Sequence, residues 1–163
     1  SGSDEKCRYL CEELGFDAAI NYRSVDNLAH ALAMEAPEGF DVLFDNVGNA
    51  MIETVLPMMR LHGRIVICGK TGEYNLAPAD CPGIVSTGCF VMQRLTMRGL
   101  FVYDFASAFP EALAQMALWR DQGRLRLRQM IVEGFEHLPA IFESLFREGK
   151  GVGKTIVKID EIS

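Results

Sequence analysis

Several features that would assign a function directly are absent from this sequence. It contains no Cys-x-x-Cys pair and no histidine cluster, which argues against a zinc site. The dinucleotide fingerprint Gly-x-Gly-x-x-Gly does not occur. No apolar run approaches the length of a membrane span, and no signal peptide is recognisable. The net charge is −6 and no basic patch is evident. We therefore expect no metal centre, no membrane partner and no nucleic-acid partner.

Two catalytic motifs are also excluded on spacing. The segment 149–155 resembles a phosphate-binding loop, but that motif requires glycine where this chain has Glu148, and it requires a following helix. The three histidines have no serine or cysteine partner at a suitable spacing, so a hydrolytic triad has no support. The five cysteines are an odd number, typical of reduced thiols, and indicate a cytoplasmic protein.

The chain of 163 residues is long enough for one domain with a core, and one stretch organises it. Within residues 40–75 we predict a buried strand over 42–44 and a second over 64–69. A helix between them would have an apolar face and a C-terminal cap at Gly63; that face comprises Ile52, Val55, Leu56 and Met59. In open parallel sheets ligands bind outside the carboxyl ends of the strands. Asn46 and the loop 68–74 therefore form the candidate site.

The rest of the chain continues the alternation of helices and strands, which predicts an α/β fold with a parallel sheet. Ser3 would cap a first helix that ends at Gly15, and Ser24 would cap a second. The region 75–90 is predicted to be a long loop. The other expected elements are strands over 18–22, 95–103, 127–132 and 155–159, a helix from Pro110 to Gly123, and a last helix over 138–145 capped by Gly149.

Three side chains have two interpretations each. Lys6 lies in the first turn of a helix opened by Gly2 and Ser3, where backbone N–H groups and an ammonium could bind an anion. The alternative is a solvated helix lysine. Tyr74 and Tyr103 are either packing residues or hydroxyl donors to a carbonyl.

Taken in order, the motifs resemble the medium-chain dehydrogenase/reductase superfamily, and most closely its zinc-independent branch of prostaglandin, leukotriene and alkenal or enone reductases. The resemblance runs through essentially the whole chain. Each motif alone is weak evidence for this family, but the set of motifs in this order is specific to it. The pieces are Gly2-Ser3-Asp4-Glu5-Lys6, Leu14-Gly15-Phe16-Asp17, Asn21-Tyr22, Phe44-Asp45-Asn46-Val47-Gly48, Gly63 to Gly69, Glu73-Tyr74-Asn75, Phe101-Val102-Tyr103, Glu133-Gly134-Phe135-Glu136 and Gly153-Lys154-Thr155-Ile156-Val157.

The resemblance implies a Rossmann-like doubly wound sheet that binds NADP(H) and reduces the C=C bond of α,β-unsaturated aldehydes or ketones. Lys6 would hold the 2′-phosphate. No acidic residue stands at the strand end where an NAD enzyme bonds the ribose. Tyr103, and second Tyr74, would contact the substrate carbonyl. The implied cofactor contacts are Ser3, Lys6, Tyr22, Asn46, Cys68, Gly69, Tyr74, Leu100, Phe101, Val102 and Gly151. Gly151 stands where the family usually has asparagine, which puts one cofactor hydrogen bond in question.

The resemblance also implies the arrangement of the chain. Residues 1–125 would be a partial NADP-binding domain without its first two strands, and 126–163 would return to an N-terminal catalytic domain. The predicted strands at 18–22 and 42–44 would then lie roughly 14 Å apart, three strand spacings. We expect the chain alone to be inactive and its parent to be a homodimer through the edge strand 95–103. Alternatives are a quinone reductase, or a non-catalytic nucleotide-binding or scaffold protein on the same fold.

Overall fold

The computed structural model describes residues 1–144 and 152–159, which fall into two compact units. One unit is Val25–Ser107, and the other combines Ser1–Ser24 with the described residues from Ala108 onward. The strands are β1 Phe40–Asp45, β2 Met59–Ile67, β3 Thr96–Gly99, β4 Gln129–Glu133 and β5 Lys154–Lys158. The helices are α1 Asp4–Arg8, α2 Leu28–Glu35, α3 Asn49–Val55, α4 Gly88–Gln93, α5 Phe109–Asp121 and α6 Leu138–Ser144. No helix among the described residues is long and apolar enough to cross a membrane.

The unit Val25–Ser107 is built on a parallel sheet in the order β1-β2-β3. One face of this sheet carries the core, in which Ile65 of β2 packs against α3 and the turn after it. The buried members of this core are Ile52, Val55, Leu56, Met59 and Ile65. Val42 and Phe44 alternate with core-facing Leu43 on β1, and both are about half exposed. The predicted strand at 42–44 and the predicted apolar face are thus confirmed, but the predicted burial of the strand is wrong, because only one face of β1 meets the core.

The structure corrects the predicted end of this helix. The α-helix ends at Val55, and a 3₁₀ turn over Leu56–Met58 leads directly into β2. Pro57 lies in that turn and lacks an N–H, so the helical hydrogen-bond ladder cannot continue through it. Gly63 is therefore not a helix cap but a residue inside β2. A Cβ at Gly63 would lie 2.8 Å from Met59 Cε and 2.9 Å from Arg60 O, so close packing requires glycine there.

The predicted cap at Ser24 was also wrong. Asn27 caps α2 by accepting a hydrogen bond from His30 N at 3.0 Å, whereas Ser24 donates its hydroxyl to Asn21 O. Both residues are good caps and lie three positions apart, so the sequence pattern did not distinguish them. The predicted loop over 75–90 holds a 3₁₀ turn at Pro78–Asp80 and the start of α4.

The predicted strand over 18–22 is absent from the described residues. Its backbone bonds are scattered: Ser1 N donates to Ile20 O at 2.7 Å, Tyr22 N donates to Ser1 O at 3.0 Å, and Ser24 N donates to Asn21 O at 3.1 Å within a turn. A strand needs a partner over several residues, and none continues this pairing in the part of the chain that is described. The separation predicted between 18–22 and β1 stays a prediction.

The edge strand is shorter than predicted. Strand β3 spans only Thr96–Gly99, so Leu95 and residues 100–103 lie outside it. Leu100 N still donates to Ile67 O at 2.8 Å, and the chain then enters a 3₁₀ segment over Val102–Ala108. Within the described sheet β3 pairs with β2 alone and is an edge, as predicted.

The second unit contains α1, α5, α6 and a parallel pair of β4 with β5. Ser3 caps α1 as predicted, its hydroxyl accepting from Lys6 N at 3.3 Å. The helix continues as a π-helical turn over Tyr9–Glu13, before Gly15 with φ +74°. Helix α5 and strands β4 and β5 lie close to their predicted positions, whereas the predicted cap at Gly149 falls outside the described residues. The predicted domain boundary at 125/126 stays a prediction.

Candidate functional site

The carboxyl ends of β1, β2 and β3 lie at one edge of the parallel sheet, and a turn after β1 forms the centre of that edge. Asp45 is 2% exposed, and its Oδ2 accepts a hydrogen bond from Gly48 N at 2.8 Å. This bond closes the turn through Asn46 and Val47. Gly48 has φ +123°, a conformation that side chains other than glycine rarely adopt. The sequence Asp-Asn-Val-Gly therefore produces a tight turn that starts α3 at the sheet edge.

Successive residues of the loop after β2 donate backbone hydrogen bonds to this turn. Asp45 O accepts from Cys68 N at 2.8 Å. Asn46 O accepts from both the backbone N and the hydroxyl of Thr71, each at 2.9 Å. A Cβ at Gly69 would lie 3.4 Å from Asn46 Oδ1, which places these two predicted contact residues against each other. The structure thus brings Asn46, Cys68 and Gly69 together, and Cys68 is exposed there.

Glu73 connects the same loop to the start of α3. This side chain is 9% exposed, and its Oε1 accepts a hydrogen bond from Asn49 N at 2.8 Å. The carboxylate lies against Gly48, where an added Cβ would approach Oε1 to 2.5 Å. A carboxylate at this position satisfies one of the unpaired N–H groups that begin a helix. Glu73 belongs to one of the motifs that carry the family resemblance, but no role was predicted for it.

A cavity of about 400 Å³ opens beside this loop. Tyr74, the second candidate for the carbonyl contact, is 68% exposed and lines it. The lining residues are Lys70, Glu73, Tyr74, Leu76, Pro78 and Cys81. Lys70 lies within the predicted loop 68–74 but was given no individual role, and Cys81 was not predicted as a site residue. A charged residue directly after the strand-end Gly69 was the signal that could have identified Lys70.

A second cavity of about 350 Å³ lies at the end of β3. Two predicted nicotinamide contacts, Leu100 and Phe101, line it, and the Phe101 ring lies 5.4 Å from the Tyr103 ring. Tyr103 itself is 66% exposed. The lining residues are Val66, Arg98, Gly99, Leu100, Phe101, Asp104 and Phe105. Val102 belongs to the 3₁₀ segment that follows and is half exposed.

The carboxylate of Glu53, on α3, forms hydrogen bonds with residues 85 and 86, which follow the residues that line the first cavity. Glu53 accepts hydrogen bonds from the Ser86 hydroxyl, from Ser86 N and from Val85 N. The bond from the Ser86 hydroxyl, with the two backbone bonds, holds the pKa of Glu53 below its ordinary value. Asn49 Nδ2 donates to Pro82 O at 2.8 Å in the same region.

The other predicted contacts lie in the second unit. Ser3 caps the helix that carries half-buried Lys6, and the Tyr22 hydroxyl would lie 3.1 Å from a Cβ at Gly2. Asn21 Nδ2 donates to Asp4 Oδ1 at 2.7 Å, which fastens the turn at Tyr22 to α1. Gly151 falls outside the described residues. Among the residues described, no group of three or more histidine, cysteine, aspartate or glutamate side chains is placed to hold a metal ion.

Comparison with known proteins identifies the family of this chain. A family model described as zinc-binding dehydrogenase matches residues 1–118. Prostaglandin reductase 1 of Rattus norvegicus is 41% identical over 159 residues, which cover 97% of this chain and 47% of the relative. The NADP⁺-dependent 2-alkenal reductase of Nicotiana tabacum is 33% identical, over 98% of this chain and 46% of its own length.

The solved structures agree with these sequence relatives. CurA of Vibrio vulnificus in complex with NADPH superposes with a TM-score of 0.84 at 30% identity, over 99% of this chain and 48% of CurA. The chain therefore spans about half the length of the relatives it matches. The predicted Rossmann-like fold is confirmed. The chain belongs to the medium-chain dehydrogenase/reductase superfamily, in the zinc-binding dehydrogenase family and the branch of prostaglandin and alkenal reductases, as the order of its motifs predicted.

Proposed function

We propose that this chain forms the cofactor-binding part of an NADPH-dependent reductase of α,β-unsaturated aldehydes and ketones. The observation that carries the proposal is the match of nearly the whole chain to a structure solved with NADPH. The names of the sequence relatives, prostaglandin reductase and 2-alkenal reductase, support the same chemistry. The quinone oxidoreductase of Pseudomonas syringae matches at 19% identity, which indicates a shared fold and does not favour the quinone reductase alternative.

The residues of the second unit fit the adenosine 2′-phosphate of NADPH. Lys6 supplies an ammonium and Ser3 a hydroxyl beside the start of α1, and these groups suit a phosphate. Asp4, the nearest acidic residue to Ser3 in sequence, is engaged by Asn21. In this proposal Lys6 discriminates NADPH from NADH, and Tyr22 flanks the adenosine.

At the sheet edge of the unit Val25–Ser107, the proposed contacts are to the ribose, the pyrophosphate and the nicotinamide of NADPH. Asn46, Cys68 and Gly69 would line the ribose and pyrophosphate, because the turn and the loop expose them at the carboxyl ends of β1 and β2. Leu100, Phe101 and Val102 would meet the nicotinamide. Bound NADPH would supply a hydride to the β-carbon of the substrate.

Two tyrosines of this chain would act on the carbonyl oxygen of the substrate. Negative charge builds on the carbonyl oxygen during reduction, and a hydrogen-bond donor aimed at it lowers the barrier. Tyr103, beside the cavity at the end of β3, is the first candidate for this donor. Tyr74, which lines the cavity beside the 68–74 loop, is the second. We further propose that the intact enzyme is a homodimer that pairs through the β3 edge.

A comparison of two cofactors tests the proposal. The enzyme that contains this chain should bind NADPH more tightly than NADH, and Lys6→Ala should weaken NADPH binding by about 1.5–3 kcal/mol, the worth of a charge-assisted hydrogen bond. NADH binding should stay nearly unchanged. The matched control is Lys154→Ala on β5, which should alter neither titration. An equal loss for both cofactors would contradict the role of Lys6.

Product analysis tests the chemistry itself. With a simple enone the product should be the saturated ketone, and a chelator should not inhibit the reaction. An allylic alcohol would contradict C=C reduction. Turnover of a quinone with no turnover of any enone would favour the quinone reductase alternative.

A further inference from the structure

Helix α1, which carries Lys6, continues into a π-helical turn over Tyr9–Glu13. Leu14 N donates to Tyr9 O at 3.1 Å, a bond that spans five residues where an α-helix spans four. Tyr9 N donates to Lys6 O, so the turn begins one helical turn after the proposed phosphate contact. Single π-helical turns are rare and occur frequently at functional sites.

Two arginines attach this turn to the residues that precede β4. The Arg128 guanidinium carbon lies 5.2 Å from the centre of the Tyr9 ring, and Arg128 Nη1 lies 4.0 Å from Glu13 Oε1. Arg126 Nη1 donates to Glu13 O at 2.8 Å. Arg128 O also accepts a hydrogen bond from Lys154 N at 2.9 Å, at the start of β5. Arg128 therefore joins the first and last residues of the π-helical turn to the β4–β5 pair.

The direction of the Lys6 side chain depends on how both ends of α1 are held. Asn21 holds Asp4 in the first turn of the helix. At the other end, a change from the π-helical to the α-helical form would rotate α1 relative to Leu14 by about 100°, the rotation of one residue in an α-helix. The contacts of Arg128 fasten the turn in its π-helical form.

We infer that Arg128 is a positioning residue for cofactor selection. By contacting Tyr9 and Glu13 it holds the π-helical turn, and the turn fixes the direction in which α1 presents the Lys6 ammonium. This inference rests on the proposed function, in which Lys6 binds the 2′-phosphate of NADPH, and it adds a residue that acts through Lys6. NADH lacks that phosphate, so the effect of Arg128 is confined to NADPH.

The test compares two cofactors in the intact enzyme, in wild type and in Arg128→Met, which removes the charge and keeps an unbranched side chain. The dissociation constant of NADPH should rise about threefold, the factor that a partly exposed cation–π contact supports, and that of NADH should stay nearly unchanged. Arg128→Lys should restore most of the NADPH affinity, because an ammonium also interacts with the Tyr9 ring. The control Lys158→Met removes an ion pair with Glu133 in the same strand pair and should alter neither constant.

A double-mutant cycle separates positioning from a general loosening of the fold. In the Lys6→Ala background, Arg128→Met should cause no further loss of NADPH affinity, because the ammonium that it positions is gone. Equal losses for NADPH and NADH, or a loss that adds fully to that of Lys6→Ala, would overturn the inference.

Amide exchange without cofactor tests the anchor separately. Arg128→Met should reduce the protection of the Leu14 amide, whose bond to Tyr9 O closes the π-helical turn, and unaltered protection would overturn the inference. If the wild-type enzyme shows no preference for NADPH, the proposed role of Lys6 fails. A preference that is present in the wild type and survives intact in Arg128→Met overturns the role of Arg128 alone.

Discussion

The buried carboxylate of Glu73 gives the sharpest test of how the candidate site is held. Glu73→Ala would leave Asn49 N–H without its acceptor at the start of α3. An unsatisfied buried donor costs about 1–3 kcal/mol. The lost negative charge near a helix N-terminus adds about 0.3–1 kcal/mol. Asn49 is only half-buried, so water replaces part of the lost bond, and we expect a total loss of about 1–3 kcal/mol of unfolding free energy.

Glu73→Gln separates the hydrogen bond from the charge. The amide oxygen can accept from Asn49 N, so this variant should lose about 1 kcal/mol or less. Urea unfolding followed by far-ultraviolet circular dichroism measures both losses, and amide exchange at Asn49 should lose protection in the alanine variant alone. The control Glu12→Ala removes an exposed carboxylate and should change the unfolding free energy by less than about 0.5 kcal/mol. Equal losses in the glutamine and alanine variants would refute this account of Glu73.

Three further predictions concern the pH response, the chemistry and the assembly. Hydrogen bonds led by that from the Ser86 hydroxyl lower the pKa of Glu53 below 4.5, so its contribution to stability is present above pH 4.5 and is lost as the pH falls below that value. Protection of the Val85 and Ser86 amides should therefore decrease in this acidic range in the wild type, while Glu53→Gln should abolish that pH response. Tyr103→Phe should lower turnover of an enone more than it changes NADPH affinity, and an unaltered rate would remove Tyr103 from the mechanism. Sedimentation at micromolar concentration should find the intact enzyme dimeric; a monomer would count against pairing through β3.

The sequence predicted best those elements whose signals are local and repeated. The short apolar run of residues 42–44 located β1, and the helical spacing of Ile52, Val55 and Leu56 located the core face of α3. Ser3 was identified as a cap because serine and the acidic residues after it form a strong local pattern. The placement of Asn46 beside Gly69 followed from the rule that parallel strands end at one edge.

What the sequence did not reveal depends on contacts between distant residues. Gly63 fits a helix cap by pattern, but its role depends on the approach of Met59 and Arg60 within β2. Glu73 and Asn49 are 24 positions apart, so no local sequence pattern predicts their hydrogen bond. Residues 18–22 have strand-like composition, yet strand formation depends on a pairing partner and not on composition alone.

The hydrogen bonds between the turn after β1 and the loop after β2 have a thermodynamic consequence. Asp45, Asn46 and Thr71 fix the backbone of both segments through bonds within the chain itself. A ligand that binds at this edge would therefore meet a backbone whose conformational entropy has already been lost on folding. The entropy still to be lost would be that of the exposed side chains, Lys70 and Tyr74. If a ligand binds at this edge, substitutions at these two positions would change its affinity without reorganising the main chain that surrounds them.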